Sequence, residues 1–185
     1  MGDSGYKIRN QEGIHFITFA VVGWIDVFSR PDYKDIVVDS MQYCQKSKGL
    51  NIHAWIIMSN HLHLIISSQK GHKLSDILRD FKKYTSLRII EAIEQNTSES
   101  RKEWMLKYFR ESGNKNVKNT TYQFWQQNNH PVELTDDSDM ISQRLEYIHN
   151  NPVHAGIVNH PSDYIYSSAR DYEGDKGLIN IDFLD

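Results

Sequence analysis

The chain is poor in cysteine, since its 185 residues include only Cys44. A single thiol permits no disulfide within the chain and gives no zinc site built from several cysteines. Cys44 falls in a segment with the apolar spacing of a helix, where a buried free thiol is the ordinary outcome. The sequence therefore predicts neither a disulfide framework nor a cysteine-rich zinc site.

Long hydrophobic runs are absent as well. No segment approaches the ~20 consecutive apolar residues of a membrane span, and the first residues, MGDSGY, lack the apolar core of a signal peptide. We therefore expect a cytoplasmic protein with no membrane partner. A hydrophobic content of 39% and an aromatic content of 11% are enough for a folded globule, and the length suits one domain with one sizeable core.

The chain also lacks the strong positive charge of an obvious nucleic-acid-binding protein, because its formal net charge is −3. The charges are unevenly distributed, however. Segments 70–88 and 101–118 each carry six basic and two acidic residues, whereas the chain beyond Pro131 carries eleven acidic and three basic residues. A basic middle suits a protein that meets a polyanion on one face. On charge alone, a solvated helix surface is the better explanation.

The spacing of apolar residues predicts the order strand, helix, strand, strand, helix, strand, which is the ferredoxin-like, split βαβ arrangement of an α+β domain. We expect an antiparallel sheet with helices on one face and the other face open for a ligand. Pro31 suits the first turn of the first helix and Gly49 suits its end. We expect residues 1–12 to form a flexible tail and residues 13–185 a single domain. The predicted strands cover residues 14–22, 51–58, 61–67 and 122–126, with 132–134 after the last, and the predicted helices cover 31–48, 75–89 and 101–111.

Two histidines lie in the third predicted strand. Residues 55–66 read WIIMSNHLHLII, with an apolar run on each side of a Ser-Asn turn. Side chains alternate between the faces of a strand, so His61 and His63 share one face at a spacing of ~7 Å, while Leu62 and Leu64 point into a core. Two imidazoles side by side are half of a metal site, and a pair of hydrogen-bonded structural histidines fits the same pattern.

A tyrosine and an amide share one face of a later predicted helix. Tyr147 and Asn151 are four residues apart and are therefore neighbours on the helix surface. Pro152 disfavours helical geometry at Asn151, so we expect the helix to end there. By itself this pattern is typical of a structural corner.

Four motifs together resemble those of the REP-associated tyrosine transposases, which belong to the single-tyrosine HUH transposases of insertion-sequence type. The resemblance extends from about residue 13 to residue 172 and implies a ferredoxin-like fold with a metal-binding His-hydrophobic-His motif on a central strand. It also implies a catalytic tyrosine on a C-terminal helix and the cleavage and rejoining of single-stranded DNA. The motifs are SNHLHL at 59–64, FWQ at 124–126, YIHNNPVHAG at 147–156 and YSSA at 166–169.

The resemblance implies roles for four residues. His61 and His63 match the two histidine ligands of a divalent metal, and Asn151 matches the position of a third ligand. Tyr147 matches the nucleophile, which would form a 5′-phosphotyrosine intermediate. We therefore expect Mg²⁺ or Mn²⁺ as the cofactor and single-stranded or hairpin DNA, at palindromic repeat elements, as the partner.

Other side chains are candidates for DNA contacts. Basic residues can hold phosphates without reading sequence, and Trp125, Phe124 and Trp104 can stack on unpaired bases, although core packing explains Phe124 and Trp125 equally well. Tyr84, on a basic predicted helix, is a rival nucleophile, and packing near Phe81 is the other explanation for it. The predicted DNA-binding residues are Arg79, Lys82, Lys83, Arg88, Lys115, Lys118 and Trp125.

Two other functions fit the same sequence. A metal-dependent phosphodiesterase that uses activated water would form no covalent adduct and would remain active after Tyr147→Phe. A non-catalytic nucleic-acid-binding domain of ferredoxin-like fold would bind without metal and tolerate His61→Ala, although no RNP-like aromatic pattern is present. The sequence separates neither a monomer from a homodimer nor a mobile-element transposase from a domesticated one.

Overall fold

The computed structural model describes residues 8–115, 121–127, 131–134 and 138–184. Four strands form one antiparallel sheet in the order β2-β3-β1-β4. The strands are β1 (Ile14–Ala20), β2 (Leu50–Ile57), β3 (His61–Ser68) and β4 (Val132–Leu134). The helices are α1 (Pro31–Lys48), α2 (Leu74–Gln95), α3 (Lys102–Asn114), α4 (Ser138–His154) and the short α5 (Ala169–Tyr172).

The topology is the predicted split βαβ arrangement. Strand β3 lies between β1 and β2 and runs antiparallel to both, so β1 and β2 are parallel to each other and are connected through α1. Helix α2 follows β3, and β4 pairs with the other edge of β1. The predicted ferredoxin-like α+β fold is confirmed.

The sheet separates two layers that carry different residues. On one face, the Phe19 ring of β1 stacks on the Phe81 ring of α2 at a centroid distance of 5.8 Å, and α1 packs beside α2. On the other face lie Phe16 and His63, which neighbour the Tyr147 ring of α4. Helix α4 therefore lies across the sheet from α1 and α2.

The first helix and the hairpin form as their sequences predict. Pro31 occupies the first turn of α1, and Gly49, at φ 70°, ends the helix by donating its backbone N–H to the Cys44 carbonyl. The hairpin between β2 and β3 is closed by a 2.8 Å hydrogen bond from Met58 N to the His61 carbonyl. The register of β3 is thereby fixed, and with it the face on which its histidines lie.

The predicted fourth strand at 122–126 is wrong. Trp125 forms only an isolated bridge with Val21, and the strand that pairs with β1 is Val132–Leu134. Phe124 and Trp125 are both buried, and their rings contact each other at 4.7 Å. Because consecutive strand residues point to opposite faces, burial of both rings in one aromatic cluster is incompatible with a regular strand at this place.

The predicted end of α4 at Asn151 is also wrong, because the helix continues through Pro152 to His154. Proline removes only one backbone donor here, and it does so in the last turn. Gly156, at φ 69°, then ends the helix. Its N–H bonds the Val153 carbonyl, while the Ile157 N–H bonds the Pro152 carbonyl, each at 2.9 Å. This pair of bonds is a Schellman motif.

The N-terminal residues that the structure describes lie against the domain. The Gln11 carbonyl accepts a 2.9 Å hydrogen bond from Ser68 Oγ, and the Gln11 side chain accepts one from Ser75 N. The division into a tail at 1–12 and a domain at 13–185 stays a prediction, because residues 1–7 lie outside the described part. Within the described ranges, no helix combines the length and apolar character needed to cross a membrane.

Candidate active site

Strand β3 presents His61 and His63 on the face of the sheet that α4 covers. They pair across to Ala20 and Thr18 of β1, and their ring centroids lie 4.7 Å apart. The expectation that the two imidazoles share a face follows from strand alternation, and the structure brings them into direct contact.

His63 has one nitrogen engaged and one available. Its Nδ1 lies 2.8 Å from Thr18 Oγ1, whereas its Nε2 is buried and has no hydrogen-bond partner in the described part of the chain. Burial, together with smaller effects of His61 and of the Arg144 charge, lowers the pKa of His63 to about 3. A buried nitrogen without a partner is costly. When Nδ1 donates its proton to the Thr18 hydroxyl, Nε2 keeps a free lone pair, as a metal ligand requires.

His61 is arranged in the same way. Its Nδ1 lies 2.6 Å from Asn60 Oδ1, and because an amide oxygen only accepts hydrogen bonds, Nδ1 carries the proton and Nε2 carries the lone pair. Burial lowers the pKa of His61 as well. Asn60 and Thr18 therefore orient the two rings as the outer partners of metal-binding histidines do.

The described part of the chain offers no third ligand from an acidic or sulfur side chain. Among the described residues, no His, Cys, Asp or Glu joins the two histidines in a cluster that could hold a metal. The Asn151 side chain is half-buried, lies one turn beyond Tyr147 on α4 and forms no hydrogen bond with another described residue. Its neighbour Asn150, by contrast, donates a 3.1 Å hydrogen bond to the Glu146 carbonyl. Asn151 therefore has an amide oxygen free to act as a ligand.

Tyr147 lies directly beside the histidine pair. Its ring centroid is 5.2 Å from that of His63 and 6.1 Å from that of Phe16, in edge-to-face contacts. The side chain is 45% exposed, so the tyrosine is held by the sheet on one side and is accessible to a large substrate on the other. The structure thus brings together three of the four residues that the family resemblance singles out.

Helix α4 is fixed on the sheet by the YSSA motif. His149 Nε2 lies 2.8 Å from Ser168 Oγ, and the same oxygen accepts a 3.0 Å hydrogen bond from the Trp55 backbone N–H. Ile57 N donates to the Tyr166 carbonyl at 3.0 Å. The segment around Ser168 therefore satisfies the free edge of β2 and attaches the helix that carries Tyr147 to it.

Arg144 belongs to this site and was missed by the sequence interpretation. It lies three residues before Tyr147, on the same side of α4, and its guanidinium sits 5.0 Å above the Phe16 ring. Its charge acts on His63. No carboxylate pairs with it among the described residues. Its position relative to Tyr147 is readable from the sequence, but its position over Phe16 depends on how α4 docks.

The predicted DNA-binding residues of α2 lie on the other side of the sheet. Arg79 and Arg88 form exposed ion pairs with carboxylates of their own helix, which contribute little to stability. Lys83 is exposed. Because α2 packs against the face opposite the histidines, these side chains are not part of the candidate active site. Lys115 is exposed at the end of α3, and Lys118 lies outside the described residues.

Two of the predicted DNA-binding residues, Lys82 and Trp125, make contacts inside the domain. Lys82 donates to the Gln126 carbonyl at 2.8 Å and lies over the Phe19 ring, and burial lowers its pKa to about 8. Trp125 is buried, and its indole N–H bonds Thr85 Oγ1 at 3.0 Å. Both side chains pack between α2 and β1, and their contact with DNA stays a prediction.

The rival nucleophile Tyr84 is remote from the histidines. It is exposed on α2 and, with Cys44 and Lys48 of α1, lines a groove of about 560 Å³. This groove lies on the face of the sheet opposite His61 and His63. Tyr84 therefore lies away from His61 and His63, the two candidate metal ligands.

Comparisons with known proteins identify the family and the fold of this chain. The family model described as IS200-like transposase matches residues 17–128, which is more than half of the chain. A solved structure described as a REP-associated tyrosine transposase bound to a REP hairpin is 17% identical, with a TM-score of 0.65 over 100% of this chain and 94% of that one. At this identity the likeness establishes the fold.

A second structure, a candidate transposase from Deinococcus radiodurans R1, is also 17% identical. It has a TM-score of 0.45 and covers 81% of this chain and 95% of its own. No curated protein matches the sequence.

Proposed function

Because the chain belongs to the IS200-like transposase family and is thus a DNA transposase, we propose that it cleaves and rejoins single-stranded DNA with Tyr147 as the nucleophile. The observation that carries the proposal is the contact between the Tyr147 ring and the ring of His63, whose Nε2 is buried and unpartnered. An exposed tyrosine beside two neutral imidazoles suits a nucleophile that acts next to a bound metal ion.

A divalent metal ion is part of the proposal. His61 Nε2, His63 Nε2 and the amide oxygen of Asn151 would hold it, a mixed nitrogen and oxygen donor set that suits Mn²⁺ or Mg²⁺ and would also accept Zn²⁺ or Ni²⁺. When bound, such an ion supplies Lewis-acid stabilisation of phosphate charge and a template for the substrate. Asn60 keeps His61 in the tautomer that this requires, and the Thr18 hydroxyl orients His63 and can accept the proton of its Nδ1.

The reaction consists of two transesterifications. The Tyr147 phenol loses its proton, its oxygen bonds to the phosphorus, and the bond from phosphorus to the 3′ oxygen breaks. The departing oxygen takes up a proton and becomes a 3′-OH, while the 5′ side stays attached as a phosphotyrosine. A 3′-OH then attacks the phosphotyrosine and restores the phenol. Each step replaces one phosphate ester by another, so no nucleotide cofactor is consumed.

We propose hairpin DNA with single-stranded flanks, at palindromic repeats, as the substrate. The support is the chemistry, which needs a phosphodiester accessible to Tyr147, together with the similarity in fold to a transposase bound to a REP hairpin. The His63 ring contacts both the His61 ring and the Tyr147 ring, so the three side chains of the proposed site lie together within one chain.

The proposal is tested with single-stranded and hairpin oligonucleotides tiled from the DNA that flanks the gene. Each is incubated with the protein and Mn²⁺ and run on a denaturing gel. We expect a covalent protein–DNA band that is absent for Tyr147→Phe and present for Tyr84→Phe, the matched control on the opposite face. Cleavage without an adduct would instead indicate a phosphodiesterase that uses water. DNA binding with neither product, in every metal, would indicate a non-catalytic domain.

A further inference from the structure

Trp24 has an unusual backbone conformation. Its φ is 55°, and it is the only non-glycine residue with a positive φ in the described part of the chain. It follows Gly23, which has a φ of 67°. A bulky side chain in the left-handed region costs roughly 1–2 kcal/mol, so the fold has to hold this residue in place. Strain of this kind concentrates at functional sites.

Burial does not explain the strain at Trp24. The side chain is 56% exposed, so most of the indole surface gains nothing from the core. The contacts that it makes lead to the candidate active site. Its ring lies 5.9 Å from the ring of His61, and its carbonyl accepts a 3.2 Å hydrogen bond from the side chain of Asn60. The indole is thus held, still exposed, beside the first histidine of the pair.

Two further exposed aromatic residues continue this surface. The Tyr108 ring of α3 packs on Gly23, so closely that a Cβ atom at residue 23 would lie 2.5 Å from the Tyr108 hydroxyl. Trp104 follows at a ring distance of 6.2 Å from Tyr108 and is 54% exposed. Trp24 thus lies beside His61, and Tyr108, with Trp104 next to it, packs on the glycine that precedes Trp24. The absence of a side chain at Gly23 is what allows the close approach of Tyr108.

We propose that Trp24 is a stacking platform for an unpaired nucleobase of the DNA strand, with Tyr108 and Trp104 as a secondary platform further along. The assignment rests on the proposed function, since a scissile phosphate at His61 and Tyr147 places the adjoining base within reach of the Trp24 ring. An unpaired base has a free π face, whereas the bases of a duplex are already stacked. The platform therefore selects single-stranded over double-stranded DNA beside the cleavage point.

The test measures binding without cleavage. Fluorescence anisotropy in EDTA follows labelled single-stranded dT20 and a 20-base-pair duplex. Trp24→Ala is expected to weaken dT20 binding by about 5- to 150-fold, the range that corresponds to one base–aromatic stack of ~1–3 kcal/mol, and to leave duplex binding unchanged. Trp24→Phe, which keeps a stacking ring, should recover most of the affinity. Tyr43→Ala, an equally exposed aromatic on α1, should have no effect.

A double-mutant cycle that combines Trp24→Ala with abasic sites in the DNA tests whether Trp24 contacts a base. Single abasic sites placed along dT20 should weaken wild-type binding, and the same abasic sites should cost less affinity in Trp24→Ala, because the stack is already lost. Equal losses in both proteins would overturn the proposal, as would unchanged dT20 binding by Trp24→Ala. A Phe variant as weak as Ala would also contradict stacking.

Trp24→Gly serves as a control for folding. Trp24→Gly removes the ring and relieves the positive φ, so it should weaken dT20 binding as Trp24→Ala does without lowering the melting temperature. If the wild-type protein forms no covalent adduct but its dT20 binding depends on Trp24, only the proposed function is refuted. If the wild-type protein forms the adduct but Trp24→Ala binds dT20 as tightly as the wild type, only the stacking platform is refuted.

Discussion

The ring of Tyr147 lies 5.2 Å, centroid to centroid, from the ring of His63, although one residue belongs to α4 and the other to β3. The contact depends on how α4 is attached to the sheet. His149 and Ser168 provide that attachment through a buried hydrogen bond of 2.8 Å. Residues outside the catalytic set therefore determine the geometry of the candidate nucleophile.

Thr18→Val should weaken metal binding. The substitution preserves the shape of the side chain but removes the hydroxyl that lies 2.8 Å from His63 Nδ1. Loss of such an outer partner typically costs 10–100-fold in metal affinity. The measurement is a Mn²⁺ titration followed by the electron paramagnetic resonance of the free ion, with Thr18→Ser, which retains the hydroxyl, as the control. Equal affinities for all three proteins would contradict the assigned role of His63.

Asn150 and Asn151 form a matched pair for identifying the third ligand. Asn151→Ala should reduce Mn²⁺ affinity by at least about tenfold, because it removes an amide oxygen with no hydrogen-bond partner in the described residues. Asn150→Ala removes an amide that bonds the Glu146 carbonyl instead and should leave the affinity unchanged. The same titration measures both. If both variants bind Mn²⁺ like the wild type, Asn151 is not a ligand.

Arg144→Gln should slow adduct formation by roughly 10²-fold, the usual effect of removing one group that stabilises developing charge. Arg144 is the cation beside His63 and Tyr147, and a phosphate at this site would meet its guanidinium. Mn²⁺ affinity should not fall, because Arg144 repels a cation. Single-turnover rates of adduct formation test this, with Arg79→Gln on the opposite layer as control. A rate that changes equally in the two variants would remove Arg144 from the site.

Stability should decrease in mild acid partly because of His149. Burial lowers the pKa of His149 to about 4 from an ordinary value of 6.5. Between these values the unfolded chain binds more protons than the folded chain, so the free energy of unfolding falls as the pH decreases. His149 alone should contribute a loss of about 2 kcal/mol between pH 7 and pH 5.

The pH prediction is measured by urea unfolding of the wild type and of His149→Gln at pH 7, 6 and 5. Glutamine can still share a hydrogen bond with Ser168 but does not titrate. The variant should therefore lose less stability than the wild type over this range, while His63 contributes equally to both. Parallel pH profiles would show that His149 titrates normally in the folded protein.

The fold and half of the site follow from local sequence rules. Alternation in β3 places His61 and His63 on one face, and Pro31 and Gly49 delimit α1, because these features depend on neighbours in sequence. The continuation of α4 through Pro152 was not predictable from the proline alone, since the Schellman motif at Gly156 offsets the lost hydrogen bond. Local rules predict which side chains share a face of a strand. They do not predict which contacts compensate for a proline inside a helix.

The remaining features depend on packing between distant segments. The sequence suggests Lys82 and Trp125 as DNA contacts and leaves core packing open for Trp125. In the structure, Lys82 bonds the Gln126 carbonyl and Trp125 bonds Thr85, both between α2 and β1. Arg144 gains its role only where α4 crosses Phe16. The strain at Trp24 is a property of the backbone that no pattern of residue types indicates.

The most direct test of the central claim identifies the residue to which DNA becomes attached. The covalent adduct is trimmed with nuclease, digested with trypsin and sequenced by tandem mass spectrometry. We predict a nucleotide phosphate on Tyr147 within the tryptic peptide 145–170, which also contains Tyr164 and Tyr166 as internal controls. A modified peptide 84–88, carrying Tyr84, or the absence of any modified tyrosine in a cleaving enzyme would contradict the account.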